Sequence, residues 1–143
     1  LVAGIKHAWR LDMGRAMALL GTPLTWQETG WGSPEIVTAD PQAWGDVVLS
    51  RSDAPSSYHL SVVVDDALQS VTHVVRGRDL YAATAIHRLL QTLLGLPQPI
   101  YHHHRLVTDV NGNKLSKSEG STGIAALRDQ GLLPVDVRRL VGL

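Results

Sequence analysis

Apolar residues in the second half of the chain change their spacing several times, and each change predicts a new element. Residues 60–64 read Leu-Ser-Val-Val-Val and stop at Asp65 and Asp66. A short β-branched run of this kind predicts a strand buried on both faces of a parallel sheet. Residues 71–76 predict a second strand, stopped by Gly77. Ile86, Leu89, Leu90, Leu93 and Leu94 recur at intervals of three and four, which places them on one face of a helix. Thr84 is the predicted N-cap, Gly95 the C-terminal stop, and Pro97 follows. Residues 100–107 predict a third strand, and 109–113 a polar turn through Asn111-Gly112. Ser121 or Thr122 can cap a further helix through Gln130, stopped by Gly131, and Pro134 opens a last one ending at Gly142.

Before residue 57 the periodicity is weaker. Short strands are predicted near 7–11, 24–28 and 47–50, with a helical turn over 15–20 closed by Gly21 and Pro23. The chain thus divides into an irregular α+β portion, residues 1–56, and a regular α/β portion, residues 57–143. Strand, helix and strand in succession favour a parallel crossover. Ligands of such sheets bind beyond the carboxyl ends of the strands, where Asp65, Asp66 and Arg76 are expected.

Composition narrows the class. A length of 143 residues with 44% hydrophobic and 18% charged residues fits one soluble globular domain. Lys plus Arg and Asp plus Glu are 13 each. That balance argues against a broad nucleic-acid footprint and leaves room only for a local one. With no cysteine, neither a disulfide nor a thiolate zinc site can form within these residues. No apolar run approaches the roughly 20 residues of a membrane span, and no signal-peptide order opens the chain. A cytoplasmic protein is expected. Leu1 in place of Met leads us to expect that further chain precedes it.

The densest chemistry lies in Lys114-Leu115-Ser116-Lys117-Ser118. Two ammonium groups and two hydroxyls on a loop can hold a polyphosphate and stabilise charge that develops on leaving pyrophosphate. Taken alone, such a string more often reads as a solvated basic loop. Arg76 offers a planar fork suited to a carboxylate, or else a surface ion pair with Asp79. Tyr58 is a phenol donor or a half-buried strand-edge aromatic. Asp65 and Asp66 as strand neighbours would face opposite ways, so they suit strand-end orientation as well as acid–base or metal chemistry. His102, His103 and His104 place only alternate rings on one face and lack a fourth ligand, so no metal is assigned. The four Trp residues are read as packing.

In context, Lys114–Ser118 closely resembles the Lys-Met-Ser-Lys-Ser signature of class I aminoacyl-tRNA synthetases, with Leu115 at the Met position. Upstream, Tyr58-His59-Leu60, then Val62-Val63-Val64-Asp65-Asp66, then Val71-Thr72-His73-Val74-Val75-Arg76-Gly77 resemble successive blocks of glutamyl-tRNA synthetases and their shorter relatives. Leu94-Gly95-Leu96-Pro97 and 101–107 follow in the same order. The likeness is strong over 44–131 and thin before 35.

The resemblance implies the second half of a Rossmann-like catalytic domain with a parallel sheet. Residues 1–56 would be the remnant of an inserted acceptor-binding subdomain with its return strand. It implies that Tyr58 and Arg76 bind glutamate, that Lys117 contacts ATP with Lys114 assisting, and that Leu115, Ser116 and Ser118 complete the ATP-binding loop. ATP would come with Mg2+, held largely by substrate oxygens and water. A zinc ion, common in relatives, would belong to a preceding half. The implied partners are glutamate, ATP and tRNA, for a monomeric ligase. Val62, where full-length enzymes often carry Asn, and the short stretch after the signature favour the glutamyl-Q tRNA(Asp) synthetase branch, which glutamylates queuosine of tRNA(Asp). A true glutamyl-tRNA synthetase fragment and a non-catalytic module binding nucleotide, tRNA or protein remain the alternatives. Ser70 replaces a usual Gly and Ala85 a usual Pro. No His-Ile-Gly-His-like element is present, so the chain by itself is expected to hold half an active site and to be inactive.

Overall fold

A computed structural model describes residues 6–108, 112, 114, 115 and 123–142. The chain divides into two compact units, Leu1–His104 and Arg105–Leu143. In the first, β1 (Ala8–Arg10), α1 (Met13–Ala18), β2 (Thr25–Glu28), β3 (Glu35–Thr38) and β4 (Val48–Arg51) precede α2 (Tyr58–Leu68), β5 (His73–Gly77), α3 (Thr84–Leu94) and β6 (Ile100–His104). The second contains α4 (Ile124–Asp129) and α5 (Pro134–Leu140).

The main sheet has the order β3-β2-β6-β5. β5 and β6 are parallel, with Arg76 opposite His103, and β2 joins the other side of β6 in parallel. β3 is an antiparallel edge strand on β2. β1 and β4 form a separate antiparallel pair. The chain is therefore α/β with parallel strands at the centre of its sheet. β2, from the first 56 residues, lies in the same sheet as β5 and β6.

The run 60–64 is helical, which corrects the expected strand. Ser57 is extended, and its hydroxyl accepts from the Leu60 N–H at 3.3 Å. That cap starts a helix whose apolar stripe centres on the buried Val63, with Val62 and Val64 beside it packed against the same core. Val63 enters the core beside Ile86, Leu89 and Leu90 of α3. The gain from burying that stripe exceeds the few tenths of a kcal/mol by which Val disfavours a helix. Asp65 and Asp66 accordingly sit in the last turns of α2, not at a strand end.

α3 is buried from Thr84 to Gln91, because it lies between the sheet and α2. Arg88 Nε donates to the Thr25 carbonyl at 2.8 Å, and Gln91 donates to the Tyr101 hydroxyl at 3.0 Å. Gly95 ends the helix at φ 64°, as the sequence predicts. The N-cap position is Ala83, however, and Thr84 is the first helical residue. Its hydroxyl is used elsewhere, as described below.

In the second unit, Thr108 bridges Lys114 and the Leu115 N–H donates to the Val107 carbonyl at 3.0 Å. Gly131, at φ 87°, ends α4, and Pro134 opens α5. The Asp136 carboxylate accepts from the Leu133 N–H at 3.0 Å. The predicted caps Ser121 and Thr122 and most of the turn 109–113 lie outside the described residues. No helix among the described residues is long and apolar enough to cross a membrane.

Candidate functional site

Arg76 is the penultimate residue of β5, near the carboxyl edge of the parallel strands. Its side chain turns inward instead of pairing with Asp79. Nε donates to His103 Nε2 at 3.0 Å, Nη1 to His87 Nδ1 at 3.0 Å, and Nη2 to the Thr84 hydroxyl at 2.7 Å and the Leu80 carbonyl at 3.3 Å. The guanidinium carbon also lies 5.1 Å from the centre of the Tyr101 ring. Four N–H groups are thereby spent on uncharged acceptors. The fifth, on Nη1, meets no partner among the described residues.

A guanidinium only donates, so its neighbours' tautomers follow. His103 accepts at Nε2, hence carries its proton on Nδ1 and donates to Glu28 Oε2 at 2.5 Å. His87 accepts at Nδ1, hence donates from Nε2 to His59 Nδ1 at 3.1 Å. A line of directed hydrogen bonds results, from Glu28 through His103 and Arg76 to His87 and His59. Protonating either central ring would set two donors against one another.

The titration of these groups agrees with that polarity. Burial raises the Glu28 pKa, but the His103 N–H, the His103 ring, the Gly30 N–H and the charge attraction of His103 outweigh it and bring it down to about 2. Burial, the Arg76 charge and the neighbouring imidazoles lower His87 to about 3. Burial and Arg76 also lower His59. For His103, burial lowers the pKa, the Glu28 hydrogen bond and charge oppose it, and Arg76 adds to the lowering, so the net shift is downward. Asp66 moves up through burial, with the Arg76 charge opposing and Asp65 reinforcing.

Tyr58 occupies the first turn of α2 and is 51% exposed, so the strand-edge reading gives way to a phenol on a helix start. Its ring is 5.8 Å from that of His87 and 5.7 Å from that of His59. Tyr58 and Arg76 therefore meet at His87. A cleft of about 490 Å³ opens beside Tyr58 and His59, walled in part by Trp44, Asp46, Arg51 and Ser56; Arg76 does not line it. Lys114 and Leu115 belong to the second unit, while Ser116, Lys117 and Ser118 lie outside the described residues.

Glu28, Thr84, His87 and His103 were not singled out from sequence as parts of a site. One signal was present: alternation along 100–104 puts Tyr101 and His103 on the buried face of β6, and alternation along β2 buries Trp26 with Glu28. His102 instead meets the Thr29 hydroxyl at 3.0 Å. Among the described residues, no group of three or more His, Cys, Asp or Glu could hold a metal ion. Nearby, Trp26 and Trp31 flank Tyr81, and the Arg78 guanidinium stacks 4.0 Å over the Trp31 ring. These indoles pack the rim of the site. Gly30 follows β2 at its crossing with β6, and a Cβ there would collide with the His103 carbonyl.

A parallel sheet with an arginine near its carboxyl edge, joined through a neutral imidazole to a tyrosine, places this chain among the α/β domains with parallel central strands. Residues 34–143 match the family described as tRNA synthetases class I (E and Q), catalytic domain, and the chain belongs to that family. A glutamyl-Q tRNA(Asp) synthetase of Rhodobacter capsulatus is 48% identical over 134 residues, covering 89% of this chain and 47% of that protein. One from Verminephrobacter eiseniae is 42% identical and covers 100% of this chain and 48% of its own length. The chain thus spans about half the length of the curated relatives it matches. Among solved structures, a glutamate-tRNA synthetase from Elizabethkingia anophelis matches with a TM-score of 0.52 and 25% identity, covering 81% of this chain and 20% of that one.

Proposed function

We propose that this chain belongs to an enzyme that activates glutamate with ATP and transfers it to tRNA, with queuosine of tRNA(Asp) as the acceptor. The carrying observation is the inward-held Arg76 guanidinium, joined through His87 to Tyr58. The likeness to proteins named glutamyl-Q tRNA(Asp) synthetase supports the choice of acceptor. In this reading Tyr58 and Arg76 hold glutamate, while Lys117, assisted by Lys114 and flanked by Leu115, Ser116 and Ser118, holds the triphosphate of ATP. Residues 1–56 then descend from an acceptor-binding insert and its return strand, and 57–143 form the second half of the catalytic domain.

A glutamate carboxylate oxygen attacks the α-phosphorus of ATP, the bond to the β-phosphate oxygen breaks, and pyrophosphate leaves; Mg2+ on the phosphate oxygens would offset part of its charge. An acceptor hydroxyl then attacks the acyl carbon and AMP departs. No covalent bond to the protein is required, so its work is positioning and charge stabilisation. Arg76 supplies a fixed positive charge near the carboxylate, and the lowered pKa values of His59 and His87 keep both rings from competing with it as cations.

The test uses the complete gene product. Glutamate-dependent ATP–pyrophosphate exchange, and incorporation of labelled glutamate into tRNA(Asp) with queuosine but not into tRNA(Glu), are the expected results. Labelling of tRNA(Glu) instead would assign an ordinary glutamyl-tRNA synthetase. No exchange with either RNA would favour a non-catalytic module.

A further inference from the structure

We infer that Glu28 and His103 are positioning residues for Arg76, and that, with His87, Thr84 and the Leu80 carbonyl also engaged, the guanidinium is left a single N–H to offer an acidic ligand. The inference deepens the reading of Arg76 as a glutamate-binding residue and rests on it. The simple expectation for an arginine at such a site is a two-pronged grip on a carboxylate. Here the Nε–Nη2 edge, one of the edges such a grip would use, is occupied by His103, Thr84 and the Leu80 carbonyl. The other edge, Nη1–Nη2, would use N–H groups on both terminal nitrogens. Both hydrogens of Nη2 and one of Nη1 are engaged within the protein. A ligand carboxylate therefore meets one charge-assisted N–H.

Such a one-armed contact depends on where the arm points, and Glu28 and His103 set that direction. Glu28 is itself pinned: its carboxylate accepts from the backbone N–H groups of Gly30 and His103, each at 2.9 Å, from Thr29 at 3.2 Å, and from the Trp26 indole at 3.3 Å. Its remaining bond fixes the His103 ring in the tautomer that presents Nε2 to Arg76. That ring is further sandwiched by Tyr101, stacked at 4° between planes, and by the edge of Tyr81. Glu28 and His103 are both fully buried, so neither can touch a substrate; they act through Arg76. The carboxylate also places a negative charge at second remove, which balances the half-buried guanidinium without capping it. A carboxylate bound directly to Arg76 would compete with the ligand.

Glu28→Gln tests this, because it keeps the volume and removes the charge and the acceptor pattern. In the complete gene product we expect the KM for glutamate in pyrophosphate exchange to rise by about tenfold while that for ATP stays within about twofold, since only the orientation of one ligand contact is lost. Should E28Q not fold, His103→Gln and His103→Met replace it. Gln can repeat the donor-then-acceptor order of the imidazole and should retain more glutamate affinity than Met, which has neither group.

An independent readout is the side-chain Nε–H signal of Arg76 in nitrogen-15 NMR. It should exchange slowly with solvent in the parent protein and rapidly in E28Q and H103M. An Nε–H equally protected in all variants, or ATP and glutamate KM values rising together, would overturn the inference. Exchange activity absent from the parent protein would sink the assigned function instead, and the NMR comparison would still decide whether Glu28 and His103 orient Arg76.

Discussion

At Arg76 the difference between a guanidinium and an ammonium is measurable. Lys has three donors on one nitrogen and cannot reach His103, His87, Thr84 and the Leu80 carbonyl at once. In Arg76→Lys at least one of these four acceptors loses its donor, at a cost of about 1–3 kcal/mol. Urea unfolding should show that loss, and glutamate-dependent exchange should fall with it; a variant as stable as the parent would contradict the network described. Lys117 makes the opposite prediction. If it contacts ATP as the family resemblance implies, Lys117→Ala should cut adenylate formation with little change in the unfolding midpoint. Unchanged pyrophosphate exchange would remove Lys117 from the mechanism.

Helix α2 shows how local signals mislead and how they inform. The strand over 71–76 and the helix ending at Gly95 were legible because their cues are local: a β-branched run between turn residues, and an apolar stripe closed by glycine. The run 62–64 carries the same strand cue. Its helical fate is set by the Ser57 cap upstream and by the face that α3 offers to Val63, and neither lies within the run. Glu28 and His103 were illegible for a related reason, since they meet across 75 positions of sequence. Arg76 and Tyr58 were reached through family resemblance, whereas their meeting at His87 needed the fold. At the end of α2, Ser70 adopts φ 56°, the left-handed region that glycine enters without strain. The family resemblance implies a Gly at this place, and the positive φ supplies the physical reason. Ser70→Gly should relieve about 1 kcal/mol, seen as a higher melting temperature with no change in exchange kinetics; a lower one would mean that the serine side chain contributes more than its backbone costs.

For the whole molecule, the line of neutral imidazoles makes folding sensitive to acid. An unfolded His87 titrates near 6.5 and the folded one near 3, so between those values the unfolded chain binds the extra proton. Stability must therefore fall as pH drops below 6.5, by about 1.4 kcal/mol per pH unit from His87 alone. His59 and His103 shift in the same direction. Glu28, lowered from 4.5 to about 2, adds a second loss as pH falls through that lower window. Urea midpoints measured at pH 7.5, 6 and 5 should decline progressively, and a flat profile over that range would show that His87 is charged in the folded protein. Gly30 carries a different consequence at this scale. Because β2 and β6 touch there backbone to backbone, any side chain at that codon would pry the two central strands apart and swing the imidazole of His103 off its partners. A residue that bears no chemistry thus governs the aim of one that does, and drift at position 30 would silence the site while every reactive group stayed in place.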